Sequence, residues 1–155
     1  MNFKPNFKTK EELRADQPKY EPVSNYMVNV NDLVTFSPDQ TIKEVIDIII
    51  DKKISGAPVL DNRGKLIGML SEKDCLRIII DQAPHKLPIA SRKVSDYMTA
   101  DVKTVPPDSD VVSAANQFLH SPMRRMPVVD NGVLKGQISR RDILKAAKNF
   151  KVTTW

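Results

Sequence analysis

Cysteine is almost missing from this sequence. Cys75 is the single thiol, which excludes an internal disulfide and agrees with a reducing compartment. Aromatic residues make up only 6% of the chain, so it lacks the stacking platforms with which proteins hold single-stranded nucleic acid. The two histidines, His85 and His120, stand apart from each other and from any cysteine or carboxylate cluster, which argues against a zinc centre. Apolar runs such as residues 45–50 and 75–80 are broken by charge well short of the roughly 20 residues a membrane helix needs. The N-terminus, Met1-Asn2-Phe3-Lys4-Pro5, has no apolar core or small-residue cleavage site of a secretory signal. A cytoplasmic protein is therefore expected. No Gly-rich phosphate loop, nucleophile elbow or zinc-hydrolase pattern occurs, so no catalysis is expected.

What is present is balanced charge and a repeat. The chain has 155 residues, 41% of them hydrophobic, with 24 basic against 19 acidic side chains and a net charge of +5. That content supports a globular core. The diffuse positive balance suits a small anionic ligand better than the dense basic stripe of a nucleic-acid binder.

Val23-Ser24-Asn25-Tyr26-Met27 recurs as Val94-Ser95-Asp96-Tyr97-Met98. Thr35, Pro38 and Asp39 are matched by Thr104, Pro107 and Asp108, and Pro58-Val59-Leu60-Asp61 by Pro127-Val128-Val129-Asp130. Gly68, Ser71 and Asp74 are matched by Gly136, Ser139 and Asp142. Identical order in both halves marks an internal duplication.

Each copy carries the same element signals. A short apolar run, residues 33–36 or 102–105, closes on proline and reads as a strand. Thr41 followed by Glu44 is a capping-box spacing that opens a helix through Ile42, Val45, Ile46, Ile49 and Ile50; Val111, Val112, Ala115, Phe118 and Leu119 repeat the periodicity. Strands over 57–60 and 65–70, then 126–129 and 133–138, form hairpins, and Asn131-Gly132 suits the tight turn of the second. A last helix follows Ser71 or Ser139, with Cys75, Leu76, Ile79 and Ile80, or Ile143, Leu144 and Ala147, expected on its apolar side. Domain limits follow: an extension over 1–22, copies at 23–81 and 94–150, a proline-containing linker over 82–93 and a tail at 151–155. The lysine-rich first 20 residues are expected to form a loose extension or wrapping arm. Each unit is too small to bury enough apolar surface alone, so the copies should pack on each other about a pseudo-two-fold axis, creating paired clefts.

The ordered motif Tyr-Met, Thr-x-x-Pro-Asp, Gly-x-Pro-Val-x-Asp, Gly-x-x-Ser-x-x-Asp resembles the cystathionine β-synthase (CBS) domain, and two in tandem resemble a Bateman module, over residues 23 to about 150. The resemblance implies an α/β (α+β) fold of two β-α-β-β-α motifs. It also implies a regulatory sensor of AMP, ADP or ATP, with Mg²⁺ accompanying ATP and no obligatory cofactor. A homodimer formed through helices, acting on an unidentified protein target, is implied as well. No fused catalytic domain is expected.

In that family an aspartate at the place of Asp74 and Asp142 accepts hydrogen bonds from both ribose hydroxyls, a task suited to a carboxylate's two oxygens. Ser-x-x-Asp is also nearly a capping box, and spacing alone favours the cap; the two roles can coexist. A helix N-terminus further attracts phosphate. Arg124-Arg125 stands where family members often carry a phosphate contact, and Ser55-Gly56 occupies the equivalent place in the first copy. The clefts should be unequal. The better-equipped one is expected to join Arg125, Ser139, Arg141 and Asp142 to Ile54, Ser55 and Val34; the other joins Ser71, Lys73 and Asp74 to Thr99, Val102, Met123 and Arg124. Two extra residues between Met27 and Thr35 leave the register of the first copy's backbone contacts open. The rival readings are a scaffold with empty clefts, S-adenosylmethionine as the ligand, and nucleic acid bound through the lysine-rich extension.

Overall fold

The computed structural model describes residues 9, 20–86 and 88–150. The arm expected over the first 20 residues, apart from Thr9 and Tyr20, and the tail at 151–155 lie outside these.

In the first copy, helix α1 (Ile42–Lys52) starts where Thr41 accepts a hydrogen bond from the Glu44 N–H at 3.2 Å, and it stops where Lys53 turns left-handed. The hairpin of β2 (Gly56–Leu60) and β3 (Leu66–Ser71) follows, then α2 (Glu72–Gln82). After a short helix α3 (Val94–Tyr97), the second copy repeats the plan. It has α4 (Val111–Leu119), β4 (Arg125–Asp130), β5 (Val133–Ser139) and α5 (Arg140–Ala147). Asp110 caps α4 by accepting from the Ser113 N–H at 2.8 Å. Burial opposes ionisation of Asp110, yet the hydrogen bonds from Ser113 prevail and hold its carboxyl below the ordinary range. The Asn131-Gly132 turn has positive φ at both residues, as its sequence requires.

The expected strands over 33–36 and 102–105 shrink to single parallel bridges, Phe36 to Val59 and Val105 to Val128. The neighbouring strands explain this. Phe36 pairs with the Pro58 carbonyl and the Leu60 N–H, and Val105 with the Pro127 carbonyl and the Val129 N–H. Pro58 and Pro127 lack the N–H that would extend either ladder. The linker is also more ordered than expected, with α2 reaching Gln82 and 3₁₀ turns at Ala83–His85 and Ile89–Ser91.

Two cores form, and each borrows from the opposite repeat. Phe36, Ile42, Val45, Ile49, Val59, Leu70, Cys75 and Ile78 bury Val94, with Tyr97 and Met98 packed alongside. Val105, Val111, Phe118, Met126, Val128, Ile138 and Ile143 bury Val23, with Tyr26 and Met27 alongside. Paired hydrogen bonds direct the exchange. The Val23 and Ser24 N–H groups donate to the Ser109 and Pro107 carbonyls, and those of Val94 and Ser95 to the Gln40 and Pro38 carbonyls. The exchanged strand β1 (Val28–Asn29) then pairs antiparallel with β5, giving the sheet order β1-β5-β4, while Thr99 bridges Met69 beside the β2-β3 hairpin. Each tyrosine is latched at the end of the facing repeat's last helix. Asn149 Nδ2 donates to the Tyr26 hydroxyl at 2.6 Å, and Gln82 Nε2 donates to that of Tyr97 at 3.5 Å. The hairpins meet directly as well, through Leu66 N–H to the Gly132 carbonyl and Leu134 N–H to the Gly64 carbonyl.

The buried stripe of α2 differs from the expected one. Cys75 and Ile78 face the core, whereas Leu76, Ile79 and Ile80 are 59%, 42% and 70% exposed. In α5 likewise, Ile143 and Ala146 are buried and Leu144 faces outward. The sheet covers only the side defined by an i, i+3 pair, so apolar residues one step around the helix stay outside. Burial also pushes the Cys75 thiol above its ordinary pKa, as expected of an inert core thiol.

Gly68 and Gly136 are where the exchanged segments pass. A Cβ at Gly68 would lie 2.7 Å from Met98 Sδ and 3.0 Å from the Thr99 carbonyl; at Gly136 it would press into the Val28 carbonyl oxygen. Because Met98 is flexible and the Val28 carbonyl is fixed in a sheet, the two sites differ in tolerance. Gly136→Ala is expected to cost about 2–3 kcal/mol and Gly68→Ala about 1 kcal/mol, measured by urea unfolding; equal costs would contradict this packing.

Candidate functional site

The two Ser-x-x-Asp motifs form complete capping boxes. At α5, Asp142 Oδ2 accepts from the Ser139 N–H at 2.9 Å and from Ser139 Oγ at 2.8 Å, while Ser139 Oγ accepts from the Asp142 N–H at 3.1 Å. At α2, Asp74 and Ser71 repeat this at 2.9, 2.9 and 3.3 Å. In each case the cap uses Oδ2 and turns Oδ1 elsewhere. Asp142 Oδ1 lies 4.0 Å from Lys145 Nζ, and Asp74 Oδ1 accepts from Arg77 at 3.4 Å. Asp142 is the one charged side chain that is buried among the described residues, at 8% exposure. A buried carboxylate with one oxygen outside its cap can still accept a pair of donors.

The hairpins set what stands beside each box. Antiparallel register pairs Arg125 with Ser139 and Gly56 with Ser71, so the arginine belongs to the Asp142 side alone. The backbone enforces this inequality. A Cβ at Gly56 would lie 2.7 Å from the Leu70 carbonyl and 2.8 Å from Ser71 Cα. No arginine fits there without moving the hairpin.

The structure also sorts the remaining candidates. The Arg124 carbonyl accepts from the Arg140 N–H at 3.2 Å and the Met123 carbonyl from Arg140 Nε at 3.1 Å, which gathers Met123, Arg124 and Arg125 at the start of α5. By the same geometry the Ser55 carbonyl accepts from the Glu72 N–H at 2.9 Å, gathering Ser55 and Gly56 at the start of α2. Ile54 and Val34 pack against the first core. Thr99 exchanges two 2.9 Å backbone hydrogen bonds with Met69 on the strand that leads to Ser71. On the other side Val28 and Asn29 lie beside Gln137 and Gly136, on the strand leading to Ser139. Each box therefore has backbone from the opposite repeat beside its own strand. Val102 is half-buried; Lys73 and Arg141 are exposed on the first turns of their helices.

Arg140 went unremarked in the sequence. Its guanidinium donates to the Met123 and Ser121 carbonyls at 3.1 and 3.4 Å, fastening the loop that carries Arg124 and Arg125. The signal was present, since Ser139 is followed by Arg140-Arg141 where Ser71 is followed by Glu72-Lys73.

The CBS domain family matches residues 23–81 and again 94–149. The chain belongs to the CBS domain family. Its solved relatives include the CBS-pair protein CBSX2 of Arabidopsis thaliana. The structure of CBSX2 in complex with AMP superimposes with a TM-score of 0.73 at 27% identity, covering 84% of this chain and 97% of that one. The chain is thus a CBS pair of α+β fold. It is also 36% identical over 122 residues to inosine-5'-monophosphate dehydrogenase of Methanocaldococcus jannaschii, a match that covers 78% of this chain and 23% of the dehydrogenase. CBSX1 of Arabidopsis thaliana, a chloroplastic CBS domain-containing protein, is 29% identical, with 83% of this chain and 65% of that protein covered. The CBS pair therefore spans about a quarter of the dehydrogenase and under two thirds of CBSX1. Among the described residues no three His, Cys, Asp or Glu side chains group as a metal site, and no helix is long and apolar enough to cross a membrane.

Arg140 and Arg141 separate a loop-fastening arginine from an exposed one with no hydrogen bond or ion pair to another described residue. Arg140→Ala is expected to lower stability by about 1 kcal/mol, whereas Arg141→Ala stays within about 0.5 kcal/mol of the parent. Chemical unfolding of both variants distinguishes them, and equal losses would refute the assignment.

Proposed function

We propose that this CBS pair is a regulatory module that binds an adenine nucleotide, AMP, ADP or ATP, with the dominant site around Asp142. The observation that carries this reading is Asp142 itself: buried, capped through one oxygen, and carrying a second oxygen outside the cap at the foot of the strand pair that bears Arg125. Oδ1 would accept from the ribose hydroxyls, while Arg125 and Arg141 meet phosphate together with the first N–H groups of α5. Backbone from the opposite repeat would face the adenine. The AMP complex of CBSX2 supports the choice of ligand class. With ATP, Mg²⁺ would be carried by the phosphates, as the chain offers no cluster of its own among the described residues. The cleft at Asp74, lacking the arginine, would bind more weakly or take a different ligand.

Occupation of the cleft would bridge the two repeats, shift their packing and so alter affinity for a protein target; the coupling must be reciprocal. The module would act by binding and not by catalysis, and the buried thiol of Cys75 suits the reducing cytoplasm. A second copy would pack on the exposed apolar flank of Ile50, Leu76 and Ile80, which are 65%, 59% and 70% exposed. The scaffold reading keeps one specific support, the complete capping boxes, which would exist without any ligand.

Calorimetry decides between them. AMP, ADP or ATP is expected to bind the parent protein. Arg125→Gly should weaken the phosphorylated ligand by about ten- to a hundredfold while leaving adenosine unchanged, the range set by a charged hydrogen bond of about 1.5–3 kcal/mol. Asp142→Asn should weaken both. If none of the nucleotides binds and the Asp142 variant changes only the melting temperature, the motif is a cap and the scaffold reading stands. Sedimentation tests the pairing: a dimer is expected for the parent and a monomer for Ile80→Asp, and a dimer in both would place the contact elsewhere.

A further inference from the structure

The two helix pairs present different surfaces. Between α4 and α5 lies a groove of about 460 Å³, lined by Ala115, Phe118, Leu119, Arg140, Ile143 and Leu144. Leu119 and Leu144 are 84% and 70% exposed. Between α1 and α2 the groove is smaller, about 270 Å³, and the 3₁₀ turn Ile89–Ser91 crosses it, with Ala90 lining it beside Lys43, Ile46 and Ile79.

The capping residues fix which positions of the helices match, Thr41 with Asp110 and Ser71 with Ser139. Ile46 then stands at the place of Ala115, Ile50 at that of Leu119, Glu72 at that of Arg140 and Leu76 at that of Leu144. A branched side chain fills the first pair where a methyl group leaves the second open. Ile50, Leu76 and Ile80, 65%, 59% and 70% exposed, make the first pair a ridge.

Charge follows the same division. Helices α1 and α2 contain six acidic and four basic residues. Helices α4 and α5 contain one acidic and three basic residues, and the acid is the capping Asp142. Among the described residues neither Glu72 nor Arg140 has an ion-pair partner; the Arg140 guanidinium meets only carbonyls.

We infer that a second copy docks head to tail, the Ile50, Leu76 and Ile80 ridge of each chain entering the α4–α5 groove of the other. Head-to-tail docking rests on the self-association proposed above and adds the order of the repeats. Like-on-like docking would set ridge against ridge and groove against groove, and would bring Glu72 toward Glu72 and Arg140 toward Arg140. Crossed docking seats a convex apolar face in a concave one and lays an acidic helix pair on a basic one. A two-fold axis then makes the contact twice and leaves neither face open.

Crosslinking tests the order. Leu76→Cys and Leu144→Cys are made singly and together in the full chain, where the native Cys75 is buried, and are treated with a short bis-maleimide beside the parent. The double variant is expected to form covalent dimers at least tenfold faster than either single variant, with peptides bearing positions 76 and 144 joined. Single variants that link as fast as the double, 76 to 76 or 144 to 144, would overturn the order and leave the dimer standing. Glu72→Ala gives a second readout, the dimer dissociation constant by sedimentation. Crossed docking loses an attraction and should raise that constant at least threefold; a tighter dimer, as when two Glu72 side chains cease to repel, would overturn the order as well. A monomeric parent would overturn both the order and the self-association.

Discussion

The exchange of two short segments between the repeats is the constraint on which the rest of the structure depends. Val23 completes the core of the second copy and Val94 that of the first, so neither repeat owns a full interior. Fully burying a valine side chain contributes about 1.5–3 kcal/mol, and each exchanged segment adds a partly buried tyrosine and methionine. A domain of this size has only about 5–15 kcal/mol of net stability. The two halves must therefore fold as one body. The exchange also brings Val28–Asn29 beside β5 and Thr99 beside β3, and this makes both candidate clefts composite.

From that symmetric frame an asymmetric pair of sites emerges through the hairpin backbone. Arg125 and Gly56 hold matching places opposite Ser139 and Ser71. Only the former leaves room for a side chain, since a Cβ at Gly56 would meet the Leu70 carbonyl. Arg140 then fastens the arginine-bearing loop to its helix, and Glu72 holds that place in the other copy. The difference between the surroundings of the two capping boxes is thus built into the hairpin backbone and does not rest on one surface residue. The Asp142 side has a fastened loop, a buried carboxylate and Arg125; the Asp74 side has a tighter hairpin with Gly56 at the matching place.

Much of this was legible in the sequence because it is local. Thr41, Ser71 and Ser139 announced helix starts, Asn131-Gly132 announced a turn, and each appears where its side-chain chemistry puts it. What failed to read was nonlocal. The runs at 33–36 and 102–105 have strand composition but narrow to one bridge each, because the neighbouring strands carry Pro58 and Pro127. Leu76, Ile79 and Ile80 have the apolarity of a core stripe, yet the sheet faces Cys75 and Ile78. Periodicity shows that a helix has an apolar side and leaves open which edge of that side a sheet will cover.

Residue identity by itself determined the duplication, the order of elements, the capping motifs and the inequality of Arg125 and Gly56, all of which depend on residues a few positions apart or on matched positions in two copies. Tertiary structure alone decided which repeat completes which core, why Gly68 and Gly136 carry no side chain, and which backbone of the opposite repeat lies beside each Ser-x-x-Asp box. These depend on contacts between residues far apart in the chain, as between Val28 and Gln137 or Met69 and Thr99. Such contacts arise only when the two halves close on each other, and no spacing within either half encodes their geometry.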